Sequence, residues 1–234
     1  MSDLSQISVA ILAGGLGTRL RPVVGDQPKA LAAVAGRPFL AILLEWLARA
    51  GARRVVLCTG YRGDLVRQSL GQSFGPIELA YSQEERPLGT AGALRLAYPL
   101  LDSELVLALN GDSFCQVDLA AMLQWRAAKA APALMLLTWA QDAARYGQVE
   151  LDPDGVVTAF REKQPQGGPG WINAGVYLME RRLLEAIAPG REVSLEREVF
   201  PAWVGRELHG YAEGQRFLDI GTPESFARAQ GFFA

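Results

Sequence analysis

Apolar positions along the first two-thirds of the chain alternate between short flat runs and longer stretches at helical spacing. Residues 7–13 form the first flat run, suited to a central strand covered on both faces, and Gly14-Gly15-Leu16-Gly17 punctuates it. Phe39, Ile42, Leu43, Trp46 and Leu47 recur every three to four positions, which predicts a helix over residues 38–50, opened by Pro38 and stopped by Gly51. Strands at 54–59, 77–81 and 104–109 then alternate with helices at 64–70, 89–98 and 119–130, the last capped by Asp118. The small residues opening the helix at 89 allow close approach at its N-terminus. After a strand at 133–139 the pattern turns mostly β. A hairpin is expected from 148–151 to 156–160 around Asp152-Pro153-Asp154-Gly155. A strand at 172–179, short helices at 181–187 and 194–200, and a terminal helix at 223–230 complete the prediction. Residues 164–170, with prolines beside two glycines, are expected to form a mobile loop.

Alternating β and α elements of this kind build an α/β domain with a largely parallel sheet. The 234 residues, half of them apolar and 21% charged, have ordinary globular composition and suit one domain spanning 1–234. Lys and Arg total 23 and Asp and Glu 25, a formal charge of −2, so no basic excess exists for a nucleic-acid backbone. The N-terminus lacks a positive leader and its apolar run breaks at Gly14, arguing against a signal peptide or membrane span and for the cytoplasm. Cys58 and Cys115 lie at no metal-ligand spacing and are read, with His209 and Tyr211, as structural. With a single histidine, metal chemistry here would have to use oxygen ligands.

The strongest chemical signal follows the first strand directly, from Leu12 to Pro22. Glycines at 14, 15 and 17 let backbone N–H groups approach a phosphate chain, and Arg19 and Arg21 add charged donors. A dinucleotide GxGxxG starting at Gly15 would need a small residue at Leu20, and a P-loop would need Gly-Lys-Ser/Thr, so neither spacing is met. Asp112 and Asp219 both follow apolar strands. Each alone reads as a helix cap, and together, at a sheet's C-terminal edge, they would suit Mg²⁺.

These residues resemble the sugar-1-phosphate nucleotidyltransferases, whose opening signature corresponds to Gly14, Gly15, Gly17, Thr18, Arg19 and Leu20, then Pro28 and Lys29. The resemblance continues through Pro87-Leu88-Gly89-Thr90-Ala91-Gly92, Asn110-Gly111-Asp112, Glu162-Lys163, Asn173-Ala174-Gly175 and Asp219-Ile220-Gly221-Thr222-Pro223. Arg145-Tyr146-Gly147 and Ser194-Leu195-Glu196 look most like the heptose 1-phosphate and mannose-1-phosphate guanylyltransferases. What the resemblance implies is a three-layer Rossmann-like fold of the GT-A-like kind, a mixed, mostly parallel sheet flanked by helices. Its nucleotide-binding part would span about 1–115 and its sugar-phosphate part about 116–234.

It further implies Mg²⁺ on Asp112 and Asp219, with Arg19, Lys29 and Lys163 as catalytic cations. Leu12, Ala13, Gly14, Gly15, Gly17, Thr18, Glu84, Gly89 and Thr90 would hold the nucleotide. Asn110, Gly147, Glu162, Lys163, Asn173 and Gly175 would hold the sugar phosphate, with Trp171 either covering the sugar or half-buried in the core. GTP is favoured because a carboxylate before Pro87 can accept from adjacent guanine donors, Glu84 being the candidate. Gln83 could instead read a pyrimidine, and Glu85 faces solvent. The implied partners are an NTP and a sugar 1-phosphate, with no nucleic acid or membrane, and a homodimer is among the assemblies allowed. The competing readings are a uridylyl- or thymidylyltransferase acting on another hexose 1-phosphate, and a non-catalytic nucleotide-sugar sensor.

Overall fold

The computed structural model describes residues 3–15, 17–162 and 167–233. Its strands in chain order are β1 (Ser8–Leu12), β2 (Ala33–Val34), β3 (Arg37–Pro38), β4 (Arg54–Thr59), β5 (Ser73–Phe74), β6 (Ile77–Gln83) and β7 (Leu105–Asn110). They continue with β8 (Ser113–Cys115), β9 (Ala133–Ala140), β10 (Gln148–Leu151), β11 (Val157–Arg161), β12 (Gly170–Glu180), β13 (Leu208–Gly214) and β14 (Phe217–Asp219). The helices are α1 (Arg21–Val24), α2 (Phe39–Arg49), α3 (Gly63–Leu70), α4 (Gly89–Ala97), α5 (Leu119–Lys129), α6 (Arg181–Glu185), α7 (Phe200–Trp203) and α8 (Pro223–Ala229). Every predicted strand and helix is found, with ends shifted by a few residues. The 194–200 segment begins as a wide π-turn over Leu195–Val199 rather than an α-helix.

Strands β6, β4, β1 and β7 lie parallel in that order, as flat apolar runs joined by helical crossovers must. Side chains alternate between the two faces: Val9 and Ile11 enter a core with α2 and α5, while Ala10 enters another with α4 and α7. This makes the three layers. The sheet then continues antiparallel, from β7 to β12 and from β12 to β9, with β13 parallel to β9 beyond.

Long β12 changes partner on its β7 side. Val176–Glu180 pairs with β7, whereas Trp171 and Ile172 pair with β10 of the β10–β11 hairpin. Between them Gly175 takes a positive φ of 76°, and the register against β9 shifts over the same stretch. The sheet therefore splits where β7 ends, and a cleft opens beside Asn173 and Gly175. No helix among the described residues is long and apolar enough to cross a membrane.

Six strands escaped the sequence pattern: β8 and β14, which pair with each other, β13, the short β5, and the β2–β3 pair. Strands of two or three residues carry no period, and β13 (Leu-His-Gly-Tyr-Ala-Glu-Gly) is too polar to read as a buried run. Small β2–β3, a hairpin turning at Ala35 and Gly36 with positive φ, was missed for the same reason.

Candidate active site

A cavity of about 730 Å³ opens at the C-terminal ends of β1, β6 and β7 and runs across to the split beside β12. Leu12, Ala13, Gly14 and Gly15 form one wall. A Cβ at Gly14 would lie 2.8 Å from Glu84 Oε1, while one at Gly15 would meet nothing within 4 Å, so backbone there is open to a ligand. Gly17 and Thr18 are not part of the wall. Gly17 has φ of 60° and presses on Lys29, whose Cβ would be 3.1 Å from a Cβ at position 17. Arg21 does not join Arg19 at the cavity: its guanidinium stacks on Tyr61, 4.7 Å from the ring centroid.

The two acids expected to meet do so through elements the sequence did not reveal. Strand β8 follows Asp112 directly and β14 ends in Asp219. Their antiparallel pairing sets Asp219 opposite Ser113, and Ile220 N–H donates to the Asp112 carbonyl at 2.9 Å. Lys29 Nζ donates to Asp112 Oδ2 at 2.5 Å. Arg19 and Lys29 also face Asp219: a Cβ at Gly221 would lie 2.8 Å from Asp219 Oδ1 and 3.7 Å from both cationic groups.

Asp219 is held from several sides. Tyr146 hydroxyl donates to Oδ2 at 2.7 Å, Gly221 N–H and Ser225 hydroxyl donate to Oδ1 at 2.8 and 2.9 Å, and Arg145 lies 3.7 Å away. Burial pushes this carboxyl up, but the donors together outweigh it and hold it below the usual carboxylate range. Tyr146 in turn is pushed up, first by burial and then by its bond to the carboxylate. Ser225 sits in a capping box with Thr222 at the start of α8, so the helix cap and the acid share one hydroxyl. Asp112 and Asp219 thus offer hard oxygen donors and suit Mg²⁺, which binds through one or two carboxylates plus substrate phosphate oxygens. Among the described residues no cluster of three or more His, Cys, Asp or Glu competes with this pair.

Across the cavity lie Gly147, Glu162, Asn173, Gly175 and Asn110. A Cβ at Gly147 would come within 3.0 Å of Glu162 Oε2, and one at Gly175 within 2.5 Å of Ser113 Oγ and 2.9 Å of Asn110 Nδ2. Asn173 Nδ2 donates to the buried Tyr177 hydroxyl at 2.9 Å and its Oδ1 accepts from Gly175 N–H. Asn110 Oδ1 is buried without a hydrogen-bond partner among the described residues. Lys163 lies outside the described residues, as do 164–166 of the expected loop. Trp171 is not in the wall; it is half-buried, edge-on to the exposed Trp139 with centroids 5.2 Å apart.

At the far end of the wall stand Glu84, Gly89 and Thr90, while Gln83 and Glu85 stay outside it, exposed. Glu84 Oε2 accepts from Leu88 N–H at 3.0 Å, and burial raises its carboxyl against that bond, helped by the charge of Glu192. What the small residues of α4 admit is the chain itself: Val193 carbonyl accepts from Ala91 and Gly92 N–H at 3.0 and 3.2 Å. The π-turn that follows turns Glu196 toward the cavity, where it accepts from Thr90 hydroxyl at 2.7 Å. Arg145, Tyr146, Glu192, Glu196 and Arg197 line the cavity although no role for them was read from the sequence. The triplets around Tyr146 and Glu196, noted there as points of resemblance, were the available signal.

A family model described as nucleotidyl transferase matches residues 8–234, and the chain belongs to that family. It is 37% identical over 227 residues to a mannose-1-phosphate guanylyltransferase of Mycobacterium tuberculosis, an alignment covering 95% of this chain and 63% of that one. It is 34% identical over 221 residues to the D-glycero-alpha-D-manno-heptose 1-phosphate guanylyltransferase of Aneurinibacillus thermoaerophilus, covering 94% of this chain and 95% of that one. Among solved structures, HddC from Yersinia pseudotuberculosis complexed with GMP-PN superposes with a TM-score of 0.85 at 31% identity, covering 97% of this chain and all of that one. The chain therefore spans under two-thirds of the mycobacterial relative but nearly the full length of the heptose enzyme.

Proposed function

We propose that this protein transfers the guanylyl group of GTP to a mannose or heptose 1-phosphate, releasing pyrophosphate and forming a GDP-sugar in the cytoplasm. The observation that carries the reading is that Asp112, Asp219, Lys29 and Arg19 line one cavity together with Gly14 and Gly15 and with Asn110, Glu162 and Asn173. The similarity to two guanylyltransferases supports the choice of base and sugar.

An oxygen of the sugar phosphate attacks the α-phosphorus, and the bond to the bridging oxygen of pyrophosphate breaks. The nucleophile, with a second pKa near ~6, is already largely dianionic at neutral pH, so no general base is needed. The work left to the protein is to align two polyanions and to balance the charge growing on the leaving oxygen. Arg19 and Lys29 supply positive charge, with Lys163 proposed to grip the sugar phosphate. Mg²⁺ held by Asp112 and Asp219 would supply further charge neutralisation on the phosphates. Glu162, Asn173 and the Asn110 oxygen would pair with sugar hydroxyls, and Glu84 would accept from the guanine N1–H and amino group.

Pyrophosphate release measured across a panel of four NTPs and several sugar 1-phosphates tests this directly. GTP with a mannose-type or heptose 1-phosphate is expected to dominate, and preference for UTP or dTTP with glucose 1-phosphate would overturn it. In Glu84→Gln the preference for GTP over the pyrimidine nucleotides should fall by about 10- to 100-fold, the loss of one charged acceptor.

A further inference from the structure

We propose that the Lys29 ammonium and a divalent cation compete for the Asp112 carboxylate, so that Lys29 closes the acid pair to free metal ions until a polyphosphate draws it away. The inference rests on the nucleotidyl-transfer reading above. Lys29 Nζ is in contact with Asp112 Oδ2, and the lysine is the better buried of the two, its side chain 12% exposed against 44% for the acid. Its backbone is fixed. Lys29 opens the tight turn Lys29–Leu31 immediately after Pro28, and Gly17 is pressed against its Cβ.

The two acids are treated differently by the fold. Asp219 is surrounded by Tyr146, Gly221, Ser225 and Arg145, donors that leave its Oδ2 with room for a further partner. The more exposed Asp112, the easier acid for an ion to reach, carries the ammonium directly on its carboxylate. A dication approaching that carboxylate must come close to a monocation in a partly buried site, where like charges repel more than in water. A triphosphate laid along Gly14 and Gly15 changes this in two ways. It offers Lys29 an alternative anionic partner, and its own negative charge offsets the repulsion. Metal and nucleotide are then positively coupled, and each tightens the other by the same factor.

The test uses Mn²⁺ alone as the probe, titrated into nucleotide-free protein while the electron paramagnetic resonance signal of free Mn²⁺ is followed. Lys29→Met should bind Mn²⁺ at least about tenfold more tightly than the wild type, within the usual range of such couplings. The double variant Lys29→Met/Asp112→Asn should lose that gain. Equal Mn²⁺ affinity in wild type and Lys29→Met, or a gain that survives in the double variant, overturns the proposal. Circular dichroism and thermal melts establish that each variant is folded, and Lys29→Gln, with a polar head retained, replaces Lys29→Met if the latter does not fold. Pyrophosphate release from GTP by the wild type is scored separately. Its absence would sink the guanylyl-transfer reading, whereas the competition stands or falls on the titration.

Discussion

Asp112 and Asp219 are brought to one end of a two-strand ladder, yet the halves of the molecule that deliver them are built differently. The first half is a parallel sheet of flat apolar strands, and Asp112 follows its strand β7 with a half-exposed side chain paired to Lys29. The second half is largely antiparallel strands and short turns, and Asp219 is embedded there in a network of tyrosine, serine, arginine and backbone donors. On the proposed function the difference would separate two demands on a pair of metal-holding acids, one free to exchange partners and the other kept ionised and in place.

Removing either acid should be the most damaging change to activity and the sharpest test of this contrast. Asp112→Asn and Asp219→Asn are each expected to lower kcat/KM by about 10²- to 10³-fold, comparable to loss of one charge-stabilising group elsewhere. Their stabilities should diverge. Asp219→Asn places an amide NH₂ against donors that expect an acceptor and should cost about 1–3 kcal/mol in chemical denaturation, whereas Asp112→Asn keeps an amide oxygen for the one ammonium it faces and should cost less, about 1 kcal/mol or under. Equal losses of stability would break the comparison.

A smaller effect is expected at the split in the sheet. Gly175→Ala must hold a non-glycine residue at a φ of 76° with its Cβ 2.5 Å from Ser113 Oγ, and should cost about 1–3 kcal/mol while raising KM for the sugar phosphate more than for GTP. If both KM values rise equally, the cleft beside β12 is not the sugar side.

Tyr146→Phe should have the mildest effect. Asp219 is held below the usual carboxylate range, so the stability it contributes is present above its unfolded value and is lost as pH falls through the folded one. Without the Tyr146 hydroxyl, a donor that lowers it, the folded value rises. The fall of the thermal-unfolding midpoint with acid starts at the unfolded value in both proteins, so in the variant it should be smaller and complete at a higher pH than in the wild type, with activity at neutral pH reduced less than tenfold. An unchanged acid limb would show that Gly221 and Ser225 alone keep Asp219 ionised.

The legible and illegible parts of the chain follow the same division. Strands β1, β4 and β7 were visible because burial on both faces demands unbroken apolar runs, and α2 because one face demands a helical period. The glycine wall and Arg19 were likewise legible, since backbone approach and phosphate charge restrict the residue types that serve, whereas Lys29 and both acids were assigned to the site only by the family resemblance. Tyr146 and Ser225 were not assigned, because a tyrosine and a serine in polar segments look like any surface residue until their hydroxyls are seen to converge on Asp219. Arg21 was misplaced for the converse reason: a guanidinium near a phosphate loop serves equally well stacked on Tyr61.

By itself, then, the order of residues determined the layered architecture, the family and the chemical types gathered at the sheet's edge, because each is written in local periodicity or in short spacings. Which residues touch was decided by tertiary structure. The ladder between β8 and β14, three residues each and a hundred positions apart, has no local signature, and its register depends on where the rest of the sheet leaves the two strands. That ladder sets Asp219 beside Asp112 and makes Lys29 the charge that faces them both.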